Sequence, residues 1–307
     1  MKVLLAGGAG FLGSYLAERF VQRNDDVHIL DNFASGLRDN IAEIYDKVTV
    51  IEEDVVKFHT DERYDMVINL ASRASRVEWE TRPVDVALSN AIGSKNLIET
   101  ALSSGAFYVY ASSSEVYGDP IQIPTPETYL GCVSTTGSRS PYDEGKRFGE
   151  AITKAYEKQY GLKNIIIRFF NTYGPRMRGG DFYGRVVDRF VQQAINNDPI
   201  TVYGDGSQTR SFTYVQDTID GVMTAIERGK IGEVYNIGND RETKILELAQ
   251  IVKKMAGSSS EIRFMDLPDN DPRRRVADIT KMRGLGWFPK ISLEEGIGKI
   301  LKAKVES

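Results

Sequence analysis

Lys2-Val3-Leu4-Leu5-Ala6-Gly7-Gly8-Ala9-Gly10-Phe11-Leu12-Gly13 opens the chain and decides how the rest is read. The run from Lys2 to Ala6 predicts a buried strand that breaks into a glycine-rich turn. The glycines fit Gly-x-Gly-x-x-Gly from Gly8 and Gly-x-x-Gly-x-x-Gly from Gly7. Glycine there permits a tight turn and lets backbone approach a pyrophosphate. It also lets the helix expected over 14–22 pack close, with its N-terminal amides facing the anion. A strand before the loop and a helix after it are the setting that this motif needs. A second strand, Val27-His28-Ile29-Leu30, ends at Asp31, about 20 residues on, where a carboxylate would bind an adenosine ribose. Asp31 would repel a 2′-phosphate, so NAD is expected rather than NADP; Arg38 is the nearby group that leaves NADP open. The competing reading is a glycine-rich turn with no ligand.

Outward from this unit, strands and helices alternate as in βαβ architecture. Further strands are expected at 48–51, 66–70, 107–111 and 164–168, several with the continuous apolar character of a doubly covered parallel sheet. Asp54-Val55 and Ala71-Ser72 follow two of them, at the carboxyl ends where a ligand crevice forms. After about residue 173 the chain changes to short segments marked by glycine and proline, then a helix near 243–256 closed by Gly257. The expected fold is α/β, a Rossmann-type doubly wound parallel sheet with a smaller C-terminal α/β substrate lobe. Residues 1–172, with a returning segment near 212–238, would form the dinucleotide domain; 173–211 and 239–307 would form the lobe.

Composition narrows the function. A net charge of −4 over 307 residues gives no case for nucleic acid. No apolar run is long enough to span a bilayer, and the first strand follows Met1 too closely for a signal peptide, so a soluble cytoplasmic protein is expected. One cysteine, Cys132, excludes an internal disulfide and a cysteine zinc site. With His28 and His59 the only histidines, no metal catalysis is expected, and His28 reads as strand filler.

Chemistry concentrates in Ser112-Ser113-Ser114-Glu115-Val116-Tyr117-Gly118 and Pro141-Tyr142-Asp143-Glu144-Gly145-Lys146. Tyr-x-x-x-Lys on a helix sets a phenol and an ammonium one turn apart on one face, a pair able to take a proton from an alcohol. Lowering a tyrosine pKa by ~3 units requires roughly 4 kcal/mol of differential stabilisation of the phenolate. A close lysine and a cationic nicotinamide are the expected sources. Ser140 is the expected N-cap, Pro141 the first helical residue and Asp143 the capping-box acid. Phe148, Ile152, Ala155 and Tyr156 are the expected buried stripe. Alone, this two-residue pattern also arises by chance on amphipathic helices.

These segments resemble the extended short-chain dehydrogenase/reductase superfamily, and more narrowly the UDP-glucuronate decarboxylases. The narrower resemblance rests on 114–120, 142–147, Asn171-Thr172-Tyr173-Gly174-Pro175-Arg176-Met177, Gly184-Arg185-Val186-Val187, 206–212 and Asp271-Pro272 with Arg275. It implies that Tyr142, with Ser113 and Lys146, oxidises a sugar 4-hydroxyl as hydride passes to NAD. The resulting 4-keto uronate is a β-keto acid that loses carbon dioxide into an enolate, with Ser113, Ser114 or Tyr142 as donors to its oxygen. Glu115 would position a water or contact the sugar, or else hydrogen-bond a nearby loop. The resemblance implies cofactor contacts at Gly7, Gly10, Phe11, Leu12, Gly13, Asp31, Asn32, Phe33, Ser35, Gly36, Asp54, Val55, Leu70, Ala71, Ser72 and Phe169, besides Tyr142 and Lys146. For a UDP-sugar it implies Asn171, Arg185, Val187, Arg210 and Arg275, leaving Arg273 and Arg274 solvated. It also implies a homodimer packed through helices near 89–104 and 142–160.

Alternatives stay open. A 4,6-dehydratase needs an acid where Ser114 stands; a 4-epimerase, on UDP-glucose/galactose or UDP-glucuronate, usually carries small residues where Glu115 stands. A catalytically silent NAD-sensing scaffold has no reason to keep Tyr142, Lys146 and Glu115 together. Two loops depart from the decarboxylase pattern: Ser72-Arg73-Ala74-Ser75-Arg76 replaces prolines and brings two cations, and Ser134-Thr135-Thr136-Gly137-Ser138-Arg139 keeps only Gly137 and Arg139. Phe182-Tyr183 look inserted.

Overall fold

The expected buried strands form. The computed structural model describes residues 1–177, 186–266 and 273–305, and within them β1 (Lys2–Ala6), β2 (Asp26–Leu30), β3 (Val48–Ile51) and β4 (Met66–Asn69) lie side by side with β5 (Phe107–Ser113). With β6 (Asn164–Phe169) and β11 (Val234–Ile237) they make a seven-stranded sheet of order β11-β6-β5-β4-β1-β2-β3. The β1–β2, β1–β4, β2–β3 and β4–β5 pairs are parallel. This is the α/β Rossmann-type arrangement that the opening segment implied.

Burial explains the apolar runs. Val3, Leu4, Leu5 and Ala6 are all fully buried. Leu4 and Ala6 pack with Leu97, Ile98 and Ala101 of α4 (Ser94–Ser104), so Val3 and Leu5, pointing the other way, need a second covering layer. A strand covered on both faces has no polar side, and each buried Leu or Ile contributes roughly 1.5–3 kcal/mol.

By internal contacts the chain divides into two units. The first comprises Met1–Val116, Val133–Arg168 and Val222–Tyr235; the second comprises Tyr117–Cys132, Phe169–Gly221 and Asn236–Ser307. In the second, α6 (Val186–Asn196), α8 (Ile245–Met255) and α10 (Leu293–Val305) pack together, α6 and α8 also against β8 (Ile200–Tyr203). β8 pairs in parallel with β13 (Ile262–Met265). β9 (Thr209–Arg210) is the centre of a three-stranded sheet between β12 (Thr243–Lys244) and β14 (Arg274–Arg275).

Several expectations need correction. α1 spans Phe11–Gln22, starting before residue 14, because Gly10 already takes the extended N-cap conformation. Residues 243 and 244 are strand, paired with β9, so α8 begins at Ile245; Gly257 does follow its end at φ +59°. α5 spans Ser140–Tyr160, with Arg139 rather than Ser140 at the cap and no side-chain cap bond. Its buried face holds only part of the expected apolar stripe: Ile152 and Tyr156 pack against the core, but Phe148 is 46% exposed and Ala155 is exposed, while Tyr142, Gly145, Lys146, Gly149 and Thr153 are buried. Gly149 lets α5 approach β5 closely, since a Cβ there would lie 1.9 Å from the Tyr110 phenol oxygen, and Phe148 beside it turns outward. Among the described residues no helix is long and apolar enough to cross a membrane.

Candidate active site

The glycine loop joins β1 to α1 within the first unit. Gly7 has φ +78°, a left-handed conformation that disfavours any side chain. A Cβ on Gly13 would lie 2.1 Å from the Gly7 carbonyl oxygen, so the first turn of α1 packs directly on the loop. The N-terminus of α1 has neither a capping side chain nor an acid in its first turn. The amides of Phe11, Leu12 and Gly13 are therefore left for an anionic ligand.

Asp31, at the end of β2, is buried and accepts the amides of Ala9 (3.0 Å) and Phe33 (2.9 Å). Burial pushes its carboxyl above the usual range, and these two bonds pull it partly back. Asn32 donates to Asp54 at 2.8 Å, and Phe33 holds φ +54°. The Arg38 guanidinium lies 4.0 Å from the Phe33 ring centre and pairs with Glu52 at 2.5 Å. The cation that kept NADP open thus has a carboxylate of its own. Ser35 and Gly36 follow in the next bend, Val55 is buried after β3, and Leu70, Ala71 and Ser72 leave the end of β4 half-buried, with Ser72 donating to Asn90 at 3.0 Å. A glycine-rich loop, a bare helix start and a carboxylate one strand over fit a dinucleotide.

Ser113 ends β5, and Ser114–Tyr117 follow as one tight 3-10 turn. Tyr142 and Lys146 are buried on one face of α5, and Tyr142 hydrogen-bonds Ser113. The lysine Nζ donates to the Ala111 carbonyl at 2.8 Å and lies 5.8 Å from the Tyr142 ring centre. Burial raises the Tyr142 phenol above its ordinary value, with the Ser113 bond opposing. Burial also lowers Lys146 to about 7, with the Glu150 charge opposing. As they stand, the phenol stays protonated at neutral pH and the lysine is close to half-charged.

The structure adds groups that the sequence reading did not single out. Glu150, one turn beyond Lys146, accepts Ser112 Oγ (2.5 Å) and the Arg168 guanidinium at 2.8 and 2.7 Å. Its i,i+4 spacing from Lys146 was the available signal. Glu115 forms an ion pair with Arg139, and its amide donates to Ser113 Oγ at 3.2 Å. Trp79 stacks on Tyr142, ring centres 4.5 Å apart and planes 17° from parallel. Arg73 pairs with Glu78 (2.7 Å) and Arg76 with Glu80 (3.3 Å), so both of the unexpected cations have carboxylate partners.

In the second unit, Arg210 and Arg275 are buried register partners on β9 and β14. Asn171 donates to the Ser211 carbonyl at 3.2 Å, and Ser211 N–H donates to the Arg275 carbonyl at 3.3 Å, so these residues gather at one place. Val187 is buried in α6, and Phe169 is half-buried at the end of β6. Arg274 is exposed, as expected, and pairs through two bonds of 2.8 Å with Glu242, where β14 brings it. Arg185 and the segments 182–184 and 271–272 lie outside the described residues.

A buried tyrosine and lysine beside a half-buried serine thus stand in a fold of the dinucleotide-binding class. The chain belongs to the NAD dependent epimerase/dehydratase family, whose model matches residues 3–238. Among curated relatives it is 41% identical to UDP-glucuronic acid decarboxylase 1 of Arabidopsis thaliana, over 98% of this chain and 69% of that protein. UDP-glucuronic acid decarboxylase 1 of Xenopus tropicalis is 40% identical over 98% of this chain and 71% of its own length. Among solved structures, UDP-glucose 4-epimerase of Thermotoga maritima with UDP-glucose superposes with a TM-score of 0.92 at 29% identity, covering 100% of this chain and 99% of that one. UDP-glucuronic acid 4-epimerase of Bacillus cereus, in complex with UDP-glucuronic acid and NAD, gives 0.89 at 29% identity with the same coverage.

Proposed function

We propose that this enzyme decarboxylates UDP-glucuronate to UDP-xylose and retains its NAD through the cycle. The observation that carries the reading is identity of about 41% to UDP-glucuronic acid decarboxylases across 98% of the chain. The site chemistry supports it: Ser114 is buried where a dehydratase would need an acid, and Glu115 is engaged by Arg139. A decarboxylase needs no added acid at the sixth carbon, because a β-keto acid carries its own leaving group.

The glycine loop, the start of α1 and Asp31 would hold NAD, which supplies a hydride acceptor and a ring of positive charge. Tyr142 takes the proton of the sugar 4-hydroxyl while the C4 hydride would pass to the acceptor that NAD supplies, with Ser113 bonded to the same oxygen and Lys146 bearing on the phenolate. The C5–carboxyl bond of the 4-keto uronate then breaks, its electron pair forming an enolate. Ser113 or Tyr142 stabilises the enolate oxygen, a proton returns to C5, and the hydride returns to C4. Arg210 and Arg275, register partners on neighbouring strands, would take the diphosphate, for which a guanidinium fork is well shaped. Asn171, Val187 and Arg185 complete the UDP site, and Phe169 completes the cofactor contacts. Exposed Val84, Leu88, Ile92 and Phe148 support a homodimer packed through this helical face.

A 4-epimerase acting on the same uronate is the second reading, favoured by the likeness to the Bacillus cereus structure. Incubation with UDP-glucuronate and NAD, with products weighed by mass spectrometry, separates the two. Loss of carbon dioxide without accumulating NADH supports the decarboxylase. A product of unchanged mass supports the epimerase.

A further inference from the structure

We propose that Trp79 is a positioning residue for Tyr142, an inference that rests on the catalytic reading of Tyr142 given above. The indole lies nearly parallel to the phenol, with ring centres 4.5 Å apart, and the two side chains are 7% and 6% exposed. Stacked aromatic pairs contribute roughly 0.5–1.5 kcal/mol beyond area burial, and the contact blocks rotation of the phenol out of its plane. Holding that plane keeps the hydroxyl on Ser113.

The indole is itself fixed. Its Nε1–H donates to the Arg73 carbonyl at 2.9 Å, and Arg73 is tied at 2.7 Å to Glu78, the residue before Trp79. The Trp79 amide donates to the Ser75 carbonyl at 3.0 Å, which seats the residue in the short helix α2 (Arg76–Thr81). The Arg139 guanidinium lies 5.2 Å from the indole centre, within cation–π range, and forms the ion pair with Glu115. Glu115, Arg139, Trp79 and Tyr142 therefore form one connected chain of contacts, linking the turn after β5 to the start of α5. Of the two cations that set this loop apart from the decarboxylase pattern, Arg73 holds Glu78 while its backbone carbonyl takes the indole N–H, and Arg76 pairs with Glu80. Buried aromatic packing alone would account for an apolar residue at position 79. It would not account for a flat ring with its N–H tied back and a guanidinium beside it.

The test compares Trp79→Leu and Trp79→Phe in the whole enzyme with UDP-glucuronate, with Tyr142→Phe assayed in parallel. Leucine fills the apolar site without a stacking face, whereas phenylalanine keeps one. Positioning predicts that Trp79→Leu lowers kcat 10- to 100-fold, the range expected when a reacting group is slightly misplaced, with KM changed less than about threefold. It predicts that Trp79→Phe stays within about threefold of the parent, at similar melting temperatures for both. Trp79→Leu with parental kcat, or Leu and Phe variants equally impaired, overturns the inference. An active Tyr142→Phe enzyme overturns instead the catalytic reading on which it rests.

Discussion

Replacing Lys146 with methionine tests the electrostatic account of the site most sharply. Burial brings this lysine from an ordinary value of 10.5 to about 7. Between those values the unfolded chain carries a proton that the folded chain lacks, so folding stability rises with pH across that window and is pH-independent from this group below it. At about 1.4 kcal/mol per unit, with the ends rounded by titration, the gain from pH 7 to pH 9 is about 2 kcal/mol. Lys146→Met removes the titrating group and with it this slope. The substitution also removes the bond to the Ala111 carbonyl, a loss of roughly 1–3 kcal/mol. Shedding the proton at pH 7 costs the parent roughly 4 kcal/mol, so the variant is expected to be the more stable protein there, yet inactive. Urea unfolding of both proteins at pH 7 and pH 9, at matched dinucleotide content, reads the difference directly. A gap between parent and variant that stays constant within about 0.5 kcal/mol would refute the reasoning, since it would mean that Lys146 keeps its proton on burial.

Gly13→Ala is expected to abolish dinucleotide binding, measured by calorimetry with NAD. The added methyl meets the Gly7 carbonyl at 2.1 Å, and rearranging the loop should also cost roughly 1–3 kcal/mol of stability. Glu150→Ala leaves the Arg168 guanidinium, whose side chain is 11% exposed, without its charge partner; a loss of roughly 3–5 kcal/mol in urea unfolding is expected. Arg275→Ala should raise KM for the UDP-sugar about 10- to 100-fold in initial-rate assays, with a smaller change in kcat, because a charge-assisted bond to phosphate is worth roughly 1.5–3 kcal/mol.

What could be read from the sequence was local. The glycine loop, Asp31 at the end of β2 and the Tyr142–Lys146 spacing are short-range patterns whose geometry follows from one strand, one turn or one helix, and the structure places them as their spacing implies. The buried face of α5 was legible in part: Ile152 and Tyr156 pack on the core, but close approach to Tyr110 selects Gly149. Apolar periodicity also pointed at Phe148 and Ala155, which are exposed. The pairing of Glu115 with Arg139, the stack of Trp79 on Tyr142 and the bonds from Arg168 to Glu150 join residues 18 to 63 positions apart. No period in the sequence encodes such contacts. Arg274 is exposed, as a run of three arginines suggests, but only the pairing of β14 with β9 shows that it meets Glu242.

The central claim is that a 4-keto uronate loses its carboxyl group and regains its own hydride. The most direct measurement is incubation of the enzyme and NAD with UDP-glucuronate in deuterium oxide, with the product read by NMR. The account predicts UDP-xylose carrying one deuterium at C5, protium at C4 and no net NADH. A uronate inverted at C4 with its carboxyl intact, or UDP-xylose with deuterium at C4, would contradict it.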